Sequence, residues 1–286
     1  MSKIFLNLMF IFVVACGLAY IGHLHSRASL WSAGSCESLK EPYLIAHGRV
    51  LREFTLMDPE QAPAAINSSV MRGYNLFLHT AYYAPHYAKN ELSCCSCHFT
   101  GGNTLGGING GISLVGVTKI YPQYSERDKK TISLTERINN CFRRSLNGVP
   151  PPENSREMYD LVNYIKWISA KAEKLDKVTW LGLNALKSTH KPDAQEGHKL
   201  YLQFCAACHQ VDGSGGGNIL TPEDGKAIPP LWGPNSFNDG AGMNNIKKLA
   251  PFIYLNMPYQ QAALSESEAL DVAAYLISQP RPQFNP

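Results

Sequence analysis

The chain has 286 residues, enough for two domains of ordinary size. Charged residues make up 17% and the formal net charge is +3, so the molecule carries no strong electrostatic bias. No basic run is interleaved with aromatics, and a nucleic-acid partner is not expected.

Lys3 is followed by an uncharged, mostly apolar stretch over residues 4–24. At ~1.5 Å of rise per residue it is long enough to cross a bilayer. Three readings stay open: a membrane anchor, a cleaved signal peptide, or a lipid attachment site at Val13-Val14-Ala15-Cys16. All three export the chain. Residues 1–26 are therefore set apart as an export signal or anchor, and residues 27–65 as an N-terminal extension.

A first amphipathic helix is expected over residues 69–82, with Gly73 and Tyr74 near its centre. About a dozen residues later comes Cys94-Cys95-Ser96-Cys97-His98. The same spacing returns as Cys205-Ala206-Ala207-Cys208-His209. Cys-x-x-Cys-His is the attachment signature of c-type haem: two thiols reach the two vinyl groups of one porphyrin, and the His ligates the iron. Two copies in an exported chain predict a dihaem cytochrome c with two covalently bound haem c groups. The 23 glycines and 18 prolines suit loops that wrap a flat cofactor.

The chain reads as a duplication. His98 lies 66 residues before Tyr164, and His209 lies 66 residues before Tyr275. Each Tyr sits in an apolar-periodic stretch that opens with Ser and acidic residues, a helix start suited to the dipole. In the second half a preceding helix runs from Asp193 directly into Cys205. Little strand pattern is visible. The fold expected is mainly α: two tandem class I cytochrome c domains, each wrapped around one covalently attached haem. They are placed at residues 66–170 and 192–286, joined by a linker at 171–191.

The iron's second axial ligand sets its potential and separates electron transfer from chemistry. In the second half Met257-Pro258 lies just before the closing helix, where class I cytochromes carry their ligand Met. Met257 is favoured over Met243, and His/Met ligation would raise the potential of that haem. The first half has no Met in the matching region, but Cys141 stands there, 43 residues after His98. A lone Cys is more often a small buried hydrophobe. A haem short of a ligand reverses that balance, because a thiolate is a strong iron donor. Arg137, Arg143 and Arg144 nearby favour the thiolate form and create an anion site, with Arg144 read as facing solvent. Of the remaining cysteines, Cys36 and Cys95 are candidates for a disulfide.

The segment from Arg127 through Arg137-Ile138-Asn139-Asn140-Cys141-Phe142-Arg143-Arg144-Ser145 to Gly148 resembles the bacterial thiosulfate dehydrogenase family of dihaem cytochromes c. So do the motif at Leu92–His98 and Asp271-Val272-Ala273-Ala274-Tyr275, and the resemblance covers nearly everything after residue 40. It implies oxidation of two thiosulfates to tetrathionate, in many members reversibly. It also implies His98 and Cys141 as axial pair of the active-site haem, and a substrate pocket using Arg127, Arg137 and Ser145. The second haem would be His209/Met257 and would pass electrons on to a small redox protein or membrane acceptor. Some members carry a Lys beside that Met; Asn256 stands here, so exchange of a Lys ligand for Met is not expected. Haem attachment outside the bacterial cytoplasm makes a periplasmic location the expectation, and the N-terminus leaves membrane attachment or lipidation open. The alternative functions are a dihaem electron carrier with no substrate of its own and a sulfur-oxidation cytochrome acting on a protein-bound thiosulfonate. A dihaem peroxidase fits less well, since no distal acid is evident.

Overall fold

The first helix of each half meets the last at a glycine. The structure is a computed structural model that describes residues 44–46, 49–51, 54–107, 110–216 and 228–285. Residues 4–24 and Cys36 lie outside the described residues. Helix α1 is Ala64–Leu78 and α2 is Thr80–Tyr83. They are followed by α3 Leu134–Asn140, α4 Arg156–Ser169, α5 Ala194–Phe204, α6 Ala206–His209, α7 Ile246–Asn256 and α8 Glu266–Ser278. Two small antiparallel hairpins, β1 Leu44–Ala46 with β2 Arg49–Leu51 and β3 Gln123–Ser125 with β4 Lys130–Ile132, and several single helical turns make up the rest of the regular structure described. Ser35–Pro286 cluster into one compact unit. The expected mainly helical, duplicated architecture is present.

In the first half α1 crosses α4, and in the second α5 crosses α8. A Cβ on Gly73 would overlap the Asp160 carbonyl and the Tyr164 side chain; one on Gly197 would overlap the Asp271 carbonyl and Tyr275. Glycine is what lets each helix pair approach backbone to backbone. The sequence signals at the closing helices work as expected: Ser155 caps α4, and Ser265 with Glu268 forms a capping box on α8.

Each crossing is pinned by a buried Asp on the closing helix. Asp160 takes Arg72 Nε at 2.7 Å and Ser69 Oγ at 2.6 Å. Asp271 takes the Asp193 amide and His190 Nε2, each at 2.7 Å. The buried Tyr164 packs at tilted angles against Tyr74 and Phe77 and donates to the Gly101 carbonyl at 2.7 Å.

One local expectation shifts. The first helix begins at Ala64, earlier than residue 69, with Pro63 at its N-cap. It breaks at His79, because the Thr80 amide goes to Ser93 Oγ instead of continuing the helix. The linker segment 171–191 is mostly exposed but is tethered to both halves. Trp180 is buried with Leu105, Val115 and Ala172 and donates to the Val115 carbonyl at 2.9 Å, while the Lys187 and Ser188 amides hold Glu266 of α8. Among the described residues no helix is long and apolar enough to cross a membrane.

Candidate active site

Both haem-motif histidines are set for ligation by backbone carbonyls. His98 Nδ1 lies 2.7 Å from the Ile112 carbonyl, and His209 Nδ1 lies 3.0 Å from that of Pro229. Donation from Nδ1 leaves Nε2 as the free nitrogen of each ring. Burial drives both imidazoles down to about 4, so they stay neutral, as a ligand must. Cys94, Cys97, Cys205 and Cys208 are all free of disulfides, as thioether attachment requires. Cys95 by contrast is disulfide-bonded; the expected partner Cys36 lies outside the described residues.

Cys141 begins a π turn, Cys141–Ser145, that continues α3. Such turns re-aim side chains and recur at functional sites. The capping box of Ser133 and Glu136 fixes the start of α3. One turn before Cys141, Arg137 then projects onto the same face, and its Nη1 donates to Cys141 Sγ at 2.9 Å. The Cys141 charge in turn raises Arg137. Burial pushes Cys94 and Cys97 up to about 12, and proximity to Cys141 adds to both. Cys141 and Arg137 therefore lie beside the first haem motif.

Arg127 comes from the β3–β4 hairpin and donates to the Gly240 carbonyl at 3.2 Å. It keeps solvent contact, yet partial burial and then the charges of Arg144 and Arg137 lower its pKa. The structure thus brings Arg127, Arg137 and Cys141 together. Ser145 ends the π turn, partly exposed, its carbonyl held by Asn90 Nδ2 at 2.9 Å.

Arg144 is a correction. It was expected to face solvent and is buried, paired with Asp128 at 3.0 Å and stacked over Phe284 at 4.8 Å. Among the described residues its Nε and Nη1 find no hydrogen-bond partner. Arg143 is the exposed member of the pair. The spacing held the signal: residues 137, 141 and 144 follow the i, i+4, i+7 rule and share a face.

Segments of the second domain reach the π turn. Asn238 Nδ2 donates to the Arg143 carbonyl at 2.8 Å, and Asn90 Nδ2 bridges to Ser236 O at 3.0 Å. The turn Gly242–Asn244 lies against the π turn. Lys248, in the first turn of α7, has its pKa lowered by burial and by Arg127 and Arg137. Neither Lys248 nor the Asn90 and Asn238 clamps were found from the sequence, because each reaches the site from a distant segment.

In the second domain Met257 caps the C-terminus of α7 and packs with Cys205 and Ala206 in one apolar cluster. Met243 packs against that cluster and against the first domain's core as well.

Residues 80–173 match the family model described as SoxA/TsdA, cytochrome c domain, and residues 194–280 match that described as cytochrome c. The thiosulfate dehydrogenase of Allochromatium vinosum is 36% identical over 245 residues, covering 84% of this chain and 90% of that protein. The chain belongs to the thiosulfate dehydrogenase family of dihaem cytochromes c. The thiosulfate dehydrogenase of Thiomonas intermedia is 38% identical over 216 residues, 75% of this chain and 66% of that protein. A solved structure of thiosulfate dehydrogenase (TsdBA) from Marichromatium purpuratum, in its as-isolated form, matches with a TM-score of 0.71 at 32% identity. The match covers 80% of this chain and half, 50%, of that one. Like its family, this protein carries two covalently bound haem c groups, one per domain. The free thiols, neutral imidazoles and carbonyl-oriented Nδ1 atoms fit that cofactor.

Proposed function

We propose that this protein joins two thiosulfate ions into one tetrathionate, releasing two electrons. The observation that carries this reading is the contact between Arg137 and Cys141 at 2.9 Å, beside the first haem motif and within an arginine cluster. A plain electron carrier has no need of a thiolate among cations. When bound, each haem accepts one electron, so the pair stores the yield of one turnover. His98 and Cys141 would hold the first, and His209 with Met257 the second.

The chain's own task is to bring two dianions together. At ~4 Å they repel by about 4 kcal/mol even at the dielectric of water. Arg127 and Arg137 offset this, since guanidinium forks bind tetrahedral oxyanions through paired hydrogen bonds. Ser145 donates one bond more. Cys141 can act as the nucleophile. Its thiolate sulfur bonds to the sulfane sulfur of one thiosulfate as two electrons leave. A second thiosulfate then attacks that sulfane sulfur, forming tetrathionate and restoring the thiolate. The reverse sequence consumes tetrathionate and two electrons. We place the protein in the periplasm, where a small redox protein or a membrane acceptor would take the electrons.

The test is stoichiometric. Haem-loaded protein should reduce a one-electron acceptor with free thiosulfate and yield one tetrathionate per two thiosulfates. Arg137→Gln should lower kcat/KM about a hundredfold, near 3 kcal/mol at ~1.4 kcal/mol per tenfold. Inertness toward both thiosulfate and tetrathionate with both haems loaded would leave the electron-carrier alternative.

A further inference from the structure

The charges around Cys141 do not balance within the first domain. Arg137 is engaged by Cys141 and Arg144 by Asp128. Among the described residues, Arg127 and Lys248 form no ion pair. One belongs to each domain. Thiosulfate oxidation brings two dianions to one place, and these two cations without an acidic partner stand near Arg137, which contacts Cys141.

Lys248 also runs against its local structure. The first turn of α7 holds Lys247 and Lys248 and no acidic residue. Cations at a helix N-terminus oppose the macrodipole, by roughly 0.3–1 kcal/mol each. The cost is tolerated where the same spot must attract an anion. A Cβ on Gly242 would sit 3.9 Å from Lys248 Nζ, which places the ammonium beside the Gly242–Asn244 turn that lies on the π turn. Two residues before Gly242, the Gly240 carbonyl holds Arg127. A single loop of the second domain thus positions both uncommitted cations.

We propose that Lys248 is a substrate-positioning residue: it anchors one of the two thiosulfate dianions, so that the pair is bound across the domain boundary. This rests on the thiosulfate reading above. Neutralisation by its ammonium and by Arg127 lets both anions approach Cys141 without displacing the arginine contact that Cys141 already has.

The experiment compares haem-loaded wild type with Lys248→Gln, Lys248→Arg and Lys247→Gln. Lys248→Gln should raise KM for thiosulfate about tenfold or more, the loss of one charge-assisted contact, with a smaller change in kcat. It should also flatten the fall of kcat/KM with ionic strength. Lys248→Arg should recover most of the affinity. Lys247→Gln, on the same exposed turn but without the closeness to Gly242 and the arginines, should match wild type. In the unmutated protein, thiosulfate should slow amine acylation of Lys248, read by peptide mass spectrometry, but not that of Lys247. Lys248→Gln kinetics equal to those of Lys247→Gln, or acylation of Lys248 indifferent to thiosulfate, would overturn the proposal while leaving the activity standing. A wild type inert toward thiosulfate would remove the activity and this inference together.

Discussion

Asn256 Oδ1 accepts the Gly111 amide at 2.9 Å, tying the segment that carries Met257 to the loop that orients His98. Gly111 precedes Ile112, whose carbonyl holds His98 Nδ1. Gly111 adopts φ +63, and a Cβ there would press on the Cys97 carbonyl and Phe99. Asn256 is fully buried, and its Nδ2 is spent on the Phe252 carbonyl at 3.0 Å. Beside this bond, Phe99 meets Phe252 and Tyr259 edge to face at 5.7 and 5.5 Å. The loop that orients His98 is therefore tied to the Met257 segment through one amide bond and two aromatic contacts.

Asn256→Leu keeps the volume and removes the acceptor. The Gly111 N–H is left buried and unpaired, which costs about 1–3 kcal/mol. At ~2–4 °C per kcal/mol for a chain of this size, Tm should fall by several degrees. Thermal unfolding followed in the haem absorbance checks this. An unchanged Tm would mean that the bond is not made in solution.

Cys141→Gly should remove the thiolate-type low-spin spectrum of the first haem and most of the activity, leaving the second haem's spectrum as it was. Arg137 loses its sulfur partner in the same change, so substrate affinity should drop as well. Absorption and electron paramagnetic resonance spectra of the oxidised protein are the readout. A spectrum indifferent to the substitution defeats the ligand assignment.

Met257→Gly should abolish the sulfur-to-iron charge-transfer band of the second haem and lower its potential. Met243→Gly should leave the band and instead loosen the domain boundary, because Met243 packs against both cores. Redox titration monitored near the charge-transfer band separates the two. Loss of the band in Met243→Gly alone would exchange their roles.

Much of this was legible in the chain because the chemistry is local. Cys-x-x-Cys-His is read within five residues, and the 66-residue spacing to Tyr164 and Tyr275 exposes the duplication. Cys141 emerged by the lack of a Met. What escaped depends on contacts between distant segments. Asn90 reaches Ser145 and Ser236 across 55 and 146 residues, and no periodicity records that. Lys248 looks like any helix-surface lysine until the Gly242–Asn244 turn is seen against the π turn. Arg144 differs for another reason: residue type alone points a charged side chain to solvent, whereas its spacing from Arg137 and Cys141 puts it on the inner face.

Arg144 and Arg143 should now behave in opposite ways. Arg144→Gln leaves Asp128 without its guanidinium in a mostly buried setting, where breaking a pair costs up to ~3–5 kcal/mol. Asp128 keeps Ser125 and Asn140 as donors at 2.6 and 2.9 Å, so the loss should fall below that range, at about 2 kcal/mol. Arg143→Gln, exposed, should stay within about 0.5 kcal/mol of wild type. The pH dependence has a definite sign. Burial pushes Asp128 up, but the Ser125 hydroxyl and Arg144 outweigh it and hold the carboxyl below its ordinary value. A depressed carboxylate contributes stability above its unfolded pKa, near ~4, and loses it as pH falls through the folded value. The stability gap between wild type and Arg144→Gln should therefore be full at neutral pH and shrink in acid below pH ~4. Denaturant titrations at pH 7 and pH ~3 measure it, and a gap that does not narrow would show that Arg144 acts through its stacking on Phe284 rather than through Asp128.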